Sequence, residues 1–149
     1  MKKRFKFIPA VYLVLRKNNK VLLSRRFNTG YQDGNYSKIA GHVDGDEPLT
    51  TAMAREALEE AGIVVPEAGM QLIHTMHTRS EIPDSLDDER VDFYFAADTY
   101  KGDITIQEPH KCDDMSWFDL DALPENMVPR VKQALDHIRD QSPYSQLGW

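Results

Sequence analysis

The chain of 149 residues carries 24 acidic against 18 basic side chains, a net charge of −6, which argues against broad nucleic-acid binding through a basic surface. Apolar residues make up 41% and charged residues 28%, a globular balance, and the length suits a single domain over 1–149 with a real core. No apolar run reaches the ~18–20 residues of a membrane span, and the lone Cys112 excludes an internal disulfide and a multi-cysteine zinc site.

The start, Met1 to Pro9, is basic like a signal peptide. Its apolar continuation is broken by Pro9 and Tyr12, ends at Arg16 and offers no small-residue cleavage site. A free thiol suits a reducing compartment, so the expectation is a cytoplasmic protein. Val11 to Leu15 and Val21 to Leu23 are apolar runs flanking Lys17-Asn18-Asn19-Lys20, which reads as a hairpin. Arg25 and Arg26 close its second strand. Alternation aims only one of them at any given face.

Phe27 to Tyr36 is rich in Asn, Asp and Gly and reads as a loop. Its aromatics, Tyr31 and Tyr36 among them, serve either as a stacking platform for a nucleobase or as packing for the loop. Ser37 to Ala40 is a short strand. A turn from His42 to Pro48 leads into a helix capped by Thr50 or Thr51 and ended by Gly62. Met70 to Thr78 alternates as a strand, which sends His74 and His77 to opposite faces and denies them a shared metal site. Both read as structural or exposed, with His77 nearer a loop end. Ser80 to Glu89 is an acidic loop and a candidate flap. Arg90 to Ala97 is a strand with Asp92 and Tyr94 on one side, where Asp92 is a candidate to approach a site. Met115 to Phe118 is a further strand, and Pro129 to Arg139 has the apolar spacing of a closing helix. The tail from Ser142 to Trp149 either packs back or frays.

The most informative stretch is the helix before Gly62. At about 100° per residue, Glu56, Glu59 and Glu60 fan over one side. Ala54, Ala57, Leu58 and Ala61 fall on the other and can pack inward. Like charges at this spacing repel by a few tenths of a kcal/mol per pair unless a cation relieves them, and hard divalent cations prefer such carboxylates. A solvated acidic face is the plainer alternative for a charge run.

The spacing goes further. Gly41, Glu47, Arg55-Glu56, Glu59-Glu60, Gly62 and Ile63 resemble the Nudix box, G-x5-E-x7-R-E-U-x-E-E-x-G-U, at eight fixed positions over 23 residues. Ala57 stands where the pattern has a bulky aliphatic residue. The resemblance implies a Nudix-type α/β/α sandwich with a mixed sheet between helices, matching the order β-β-β-α-β-β-β-α. It implies a Mg²⁺-dependent hydrolase, with Mn²⁺ as a substitute, that cleaves a nucleoside diphosphate linked to a group X. Carried over by position, Glu56, Glu59, Glu60 and the Ala40 carbonyl are expected metal ligands, and Arg55 orients a glutamate. Gly41, Glu47 and Gly62 support the loop and helix. Glu108 fits a downstream carboxylate, ligand or general base in some members; an exposed loop acid is the alternative. Arg25 or Arg26, Tyr31, Tyr36, Asp92 and Asp114 are the expected substrate contacts.

A nucleoside triphosphate, oxidised or not, is the leading substrate expectation. ADP-ribose or a nucleotide-sugar is the second, and a non-catalytic nucleotide-binding module the third, although all four box glutamates are present. A monomer or homodimer is expected, with no membrane partner.

Overall fold

The computed structural model describes residues 1–80 and 89–149. The candidate flap between Ser80 and Glu89 lies, apart from its two ends, outside the described residues. Strands β1 (Ile8–Lys17), β2 (Lys20–Arg26), β3 (Tyr36–Ser37) and β4 (Ala40–His42) precede helix α1 (Leu49–Ala61). Strands β5 (Gln71–Arg79), β6 (Glu89–Ala97) and β7 (Cys112–Asp119) precede α2 (Pro129–Arg139) and β8 (Tyr144–Leu147). The mixed sheet runs β3-β2-β1-β6-β5-β8, with β4 also on β1 and β7 also on β2.

The site is made possible by the way β1 and β2 part. They pair only beside the hairpin turn, Arg16 with Val21 and Lys17 with Lys20. Beyond that, β1 takes β4 at Ala10 to Tyr12, and β2 takes β3 at Ser24 and Arg25. Each strand keeps a full-length neighbour on its outer side, β6 parallel to β1 and β7 antiparallel to β2. A wedge therefore opens between them.

Alternation along β1 feeds two cores. Val11, Leu13 and Leu15 pack with Met53, Ala57 and Ala61 of α1, while Tyr12 and Val14 pack with Val131, Ala134 and Leu135 of α2. A helix thus covers each face, the expected α/β/α sandwich. Each fully buried Val or Leu contributes about 1.5–3 kcal/mol.

Two expectations change, and two open points are decided. Leu58 is 54% exposed, because the buried stripe of α1 runs through Met53, Ala57 and Ala61 instead. Neither Thr50 nor Thr51 caps α1: Pro48 is the cap residue, and both hydroxyls donate to Glu67, at 2.9 and 2.8 Å, tying the helix to the 3₁₀ turn Glu67–Gly69. A bulge in β5 between Leu72 and His74 turns Leu72 out to solvent. The tail does not fray, since β8 pairs parallel with β5 and the buried His74 ring bonds to the Ser142 carbonyl and the Ser145 hydroxyl. Gly62 ends α1 as expected. Its φ of 69° is left-handed, and its N–H donates to the Leu58 carbonyl.

Candidate active site

The wedge opens into a cleft of about 780 Å³. On one wall stand the carboxylates of α1, organised by Arg55. Its guanidinium makes a two-pronged contact with Glu47, at 2.8 and 3.3 Å, and donates to Glu56 at 3.0 Å and to the His42 carbonyl at 3.3 Å. Glu59 lies 3.5 Å away and Asp44 3.3 Å. The planar fork fits such paired acceptors. Glu47 also accepts the Asp44 N–H at 3.0 Å, so it fastens the turn before α1, and these bonds hold its carboxyl below the usual range.

Glu56 lies against Gly41, where a side-chain Cβ would fall on its carboxylate. Burial, offset in part by Arg55, pushes Glu56 upward. Glu60 accepts the Ala40 N–H at 3.1 Å. Burial, with Glu56, Glu108 and Glu59 nearby, pushes it up to about 8. The C-terminal turn of α1 brings in Glu108. The Glu60 and Ala61 carbonyls accept the N–H groups of Gln107 and Thr105, at 3.1 and 3.0 Å, which satisfies helix-end acceptors and lays Glu108 beside the helix.

Among the described residues, no three His, Cys, Asp or Glu side chains are drawn together as a closed cage. Arg55 spreads the carboxylates, and Glu59 is the most exposed of the α1 set, its side chain 53% open. The donor chemistry nonetheless fits a hard divalent cation. The acids line one wall of the cleft together, and burial first, with mutual repulsion second, holds Glu56 and Glu60 above the usual carboxylate range. At Ala40 the group engaged is its N–H, with Glu60.

The expected substrate contacts divide. Arg25, Arg26 and Tyr31 line the cleft, so both arginines reach it where strand alternation allows one. The register shift between Arg25 and Arg26 against β7 breaks the alternation. Arg25 also pairs with Asp113 at 2.7 Å, and Arg26 donates to the Tyr31 carbonyl at 2.7 Å, bracing the loop. Tyr36 is buried, edge-on to Phe118, and its hydroxyl donates to Asp114 at 2.6 Å. Neither Tyr36 nor Asp114 lines the cleft; they hold β3 to β7 rather than forming a base platform. Asp92 is fully buried and accepts from Arg90 at 2.8 Å, so Arg90, not Asp92, meets the cleft. His77 pairs with Glu89 outside the cleft.

Sequence reasoning missed Tyr12, His42, Arg90 and Arg130, all on the cleft wall. One signal was available for Arg130. A cation in the first turn of a helix opposes the macrodipole, and that misfit is a reason to look for another role.

The family profile for the NUDIX domain matches residues 6–138. The chain is 33% identical over 138 residues to the NAD-capped RNA hydrolase NudC of Chromobacterium violaceum, covering 89% of this chain but 48% of that protein. It thus spans about half the length of that relative. Among solved structures, it resembles the MutT NUDIX hydrolase of Burkholderia pseudomallei with a TM-score of 0.76 at 23% identity, over 89% of this chain and 98% of that one. It also resembles the NUDIX domain of Shewanella oneidensis NrtR, solved with ADP ribose, with a TM-score of 0.68 at 20% identity, over 93% and 90%. With the profile spanning nearly the whole length and Gly41, Glu56, Glu59 and Glu60 of the box lining the cleft, the chain belongs to the Nudix family.

Proposed function

We propose that this protein is a divalent-cation-dependent pyrophosphohydrolase that cleaves a nucleoside diphosphate linked to X. The observation that carries the reading is the carboxylate wall: Glu56 and Glu60 anchored by Gly41 and Ala40, with Glu59 and Glu108 beside them in a cleft roomy enough for a nucleotide. Glu56 and Glu60 would hold Mg²⁺, or Mn²⁺ in its place, with Glu59 as a further ligand or a contact through water. The cation would supply charge neutralisation of the phosphates and activation of the attacking water. Arg55 fixes the Glu56 carboxylate through its 3.0 Å bond and keeps its own charge tied to Glu47. Arg25, Arg26 and Lys111 supply positive charge for the phosphates on the rest of the wall. The proton of the attacking water passes to Glu59 or Glu108, the carboxylates not braced by backbone or glycine.

A nucleoside triphosphate remains one substrate candidate. Two observations favour a pyrophosphate with a group on each side, of the ADP-ribose or dinucleotide kind. The cleft continues past the glutamates to Tyr31 and Arg130, and the curated relative above is named for an NAD-capped substrate. The test is turnover of nucleoside triphosphates, ADP-ribose, NAD and nucleotide-sugars in Mg²⁺, beside Glu60→Gln. Cleavage of a member of the panel, lost on chelation and in Glu60→Gln, supports the reading. A protein that binds the panel without turning any member over is a binding module instead.

A further inference from the structure

The glutamates occupy the α1 side of the wedge. The α2 side carries two cations, Arg90 and Arg130, that the pyrophosphate reading does not use. Arg90 reaches into the cleft from β6 and is held from beneath, donating to Asp92 at 2.8 Å and to the Tyr12 hydroxyl at 3.2 Å. Arg130 enters from the first turn of α2, its guanidinium 5.5 Å from the Tyr31 ring centre. Arg26 lies 5.2 Å from the same ring. Two of these cations are accounted for: Arg26 braces the loop through the Tyr31 carbonyl and Thr29 hydroxyl, and Arg90 is matched by Asp92. Among the described residues, Arg130 pairs with no carboxylate.

This corner is also incompletely hydrogen-bonded. Among the described residues, the Arg130 Nε, Asp92 Oδ2 and Tyr94 hydroxyl are buried without a partner. The charge of Arg130 acts on both Asp92 and Tyr94, so the three orphans share one corner. Each buried orphan costs about 1–3 kcal/mol, and such groups in native proteins answer to a water, an ion or a ligand. The α2 N-terminus adds a partial positive charge at the same place. A neutral sugar or base leaves the surplus cation unmatched, whereas a guanidinium fork fits phosphate oxygens.

We propose that Arg130, backed by Arg90 over Asp92 and Tyr12, forms a subsite for a further phosphate of the substrate, outside the scissile pyrophosphate and carried on the ribose of the nucleoside. It rests on the NDP–X reading and narrows it to substrates bearing that extra anion. Two sources share the chemistry: a phosphate monoester on that ribose, or the first phosphodiester of a nucleic-acid chain joined to it.

Calorimetric titration separates this from the catalytic reading, because it needs no turnover. Matched probes are ADP-ribose against ADP-ribose 2′-phosphate, for the monoester, and NAD against a short NAD-capped oligoribonucleotide, for the phosphodiester. Tighter binding of the phosphate-bearing member of a pair is the expected result, and the pair that shows it names the source. Arg130→Gln should erase that preference, roughly a tenfold or greater loss for one charge-assisted hydrogen bond, with a smaller loss on the plain member. Arg130→Lys should restore part of it. Equal affinity within both pairs, or an equal loss on both members in Arg130→Gln, overturns the proposal. So does an Arg130-dependent preference for GDP over ADP, which would make this a base-reading site. If no probe is hydrolysed, the catalytic reading fails while the binding contrast still decides this one.

Discussion

Gly41→Ala tests the glutamate wall through a single methyl group. A Cβ at this position falls on the Glu56 carboxylate, so Glu56 must swing away, giving up its 3.0 Å bond from Arg55. Forcing a methyl into a filled site costs about 1–3 kcal/mol. For a chain of this length that lowers Tm by roughly 2–12 °C. Misplacing a reacting group by about 1 Å costs roughly a hundredfold in kcat, so activity should fall much further than stability. The decisive assay is a double-mutant cycle by urea unfolding. With Glu56→Ala in the background the clash has no partner, and Gly41→Ala should then cost little. If it destabilises equally in both backgrounds, the close approach of Gly41 to Glu56 is not what the glycine serves.

Other perturbations have equally direct readouts. Burial pushes Lys38 down to about 7, from an ordinary 10.5, and its Nζ has no hydrogen-bond partner among the described residues. Between those values the unfolded chain holds the proton that the folded one has lost, so this group makes stability rise with pH from about 7 to 10.5. Urea midpoints should show Lys38→Met to be more stable at neutral pH and to lack that rise; an unchanged pH slope would show that the ammonium is not buried. Tyr36→Phe removes the 2.6 Å bond to Asp114 and should cost about 1–3 kcal/mol by thermal melts, with KM unaltered. A large KM change would restore Tyr36 as a substrate contact. Mg²⁺ should raise Tm by mass action, and the gain should vanish in Glu60→Gln; a gain that persists there moves the cation off this wall.

The box helix was legible because its chemistry is local. Glutamate spacing defines a face whatever lies opposite, Ala57 falls on the buried side in either reading, and Gly62 marks the left-handed stop. What escaped the sequence depends on contacts distant along the chain. Tyr36 turned inward because Asp114 and Phe118 on β7 receive it. Asp92 turned inward because Arg90, two residues earlier on the same strand face, takes its charge. Leu58 faces solvent because the core chose the stripe from Met53 to Ala61. The four residues of β8 are too short for a periodic signal, and their order comes from pairing with β5 and the grip of His74. Arg130 joins the cleft only because α2 docks across the face that carries Tyr12 and Tyr94.

The central claim is that α1 holds a divalent cation at the scissile pyrophosphate. Electron paramagnetic resonance of Mn²⁺ titrated into the protein tests it most directly, with Glu56→Gln and Glu60→Gln measured beside the parent. Stoichiometric uptake, competed by Mg²⁺ and lost in both variants, is the predicted result. Uptake undiminished by either substitution would contradict it.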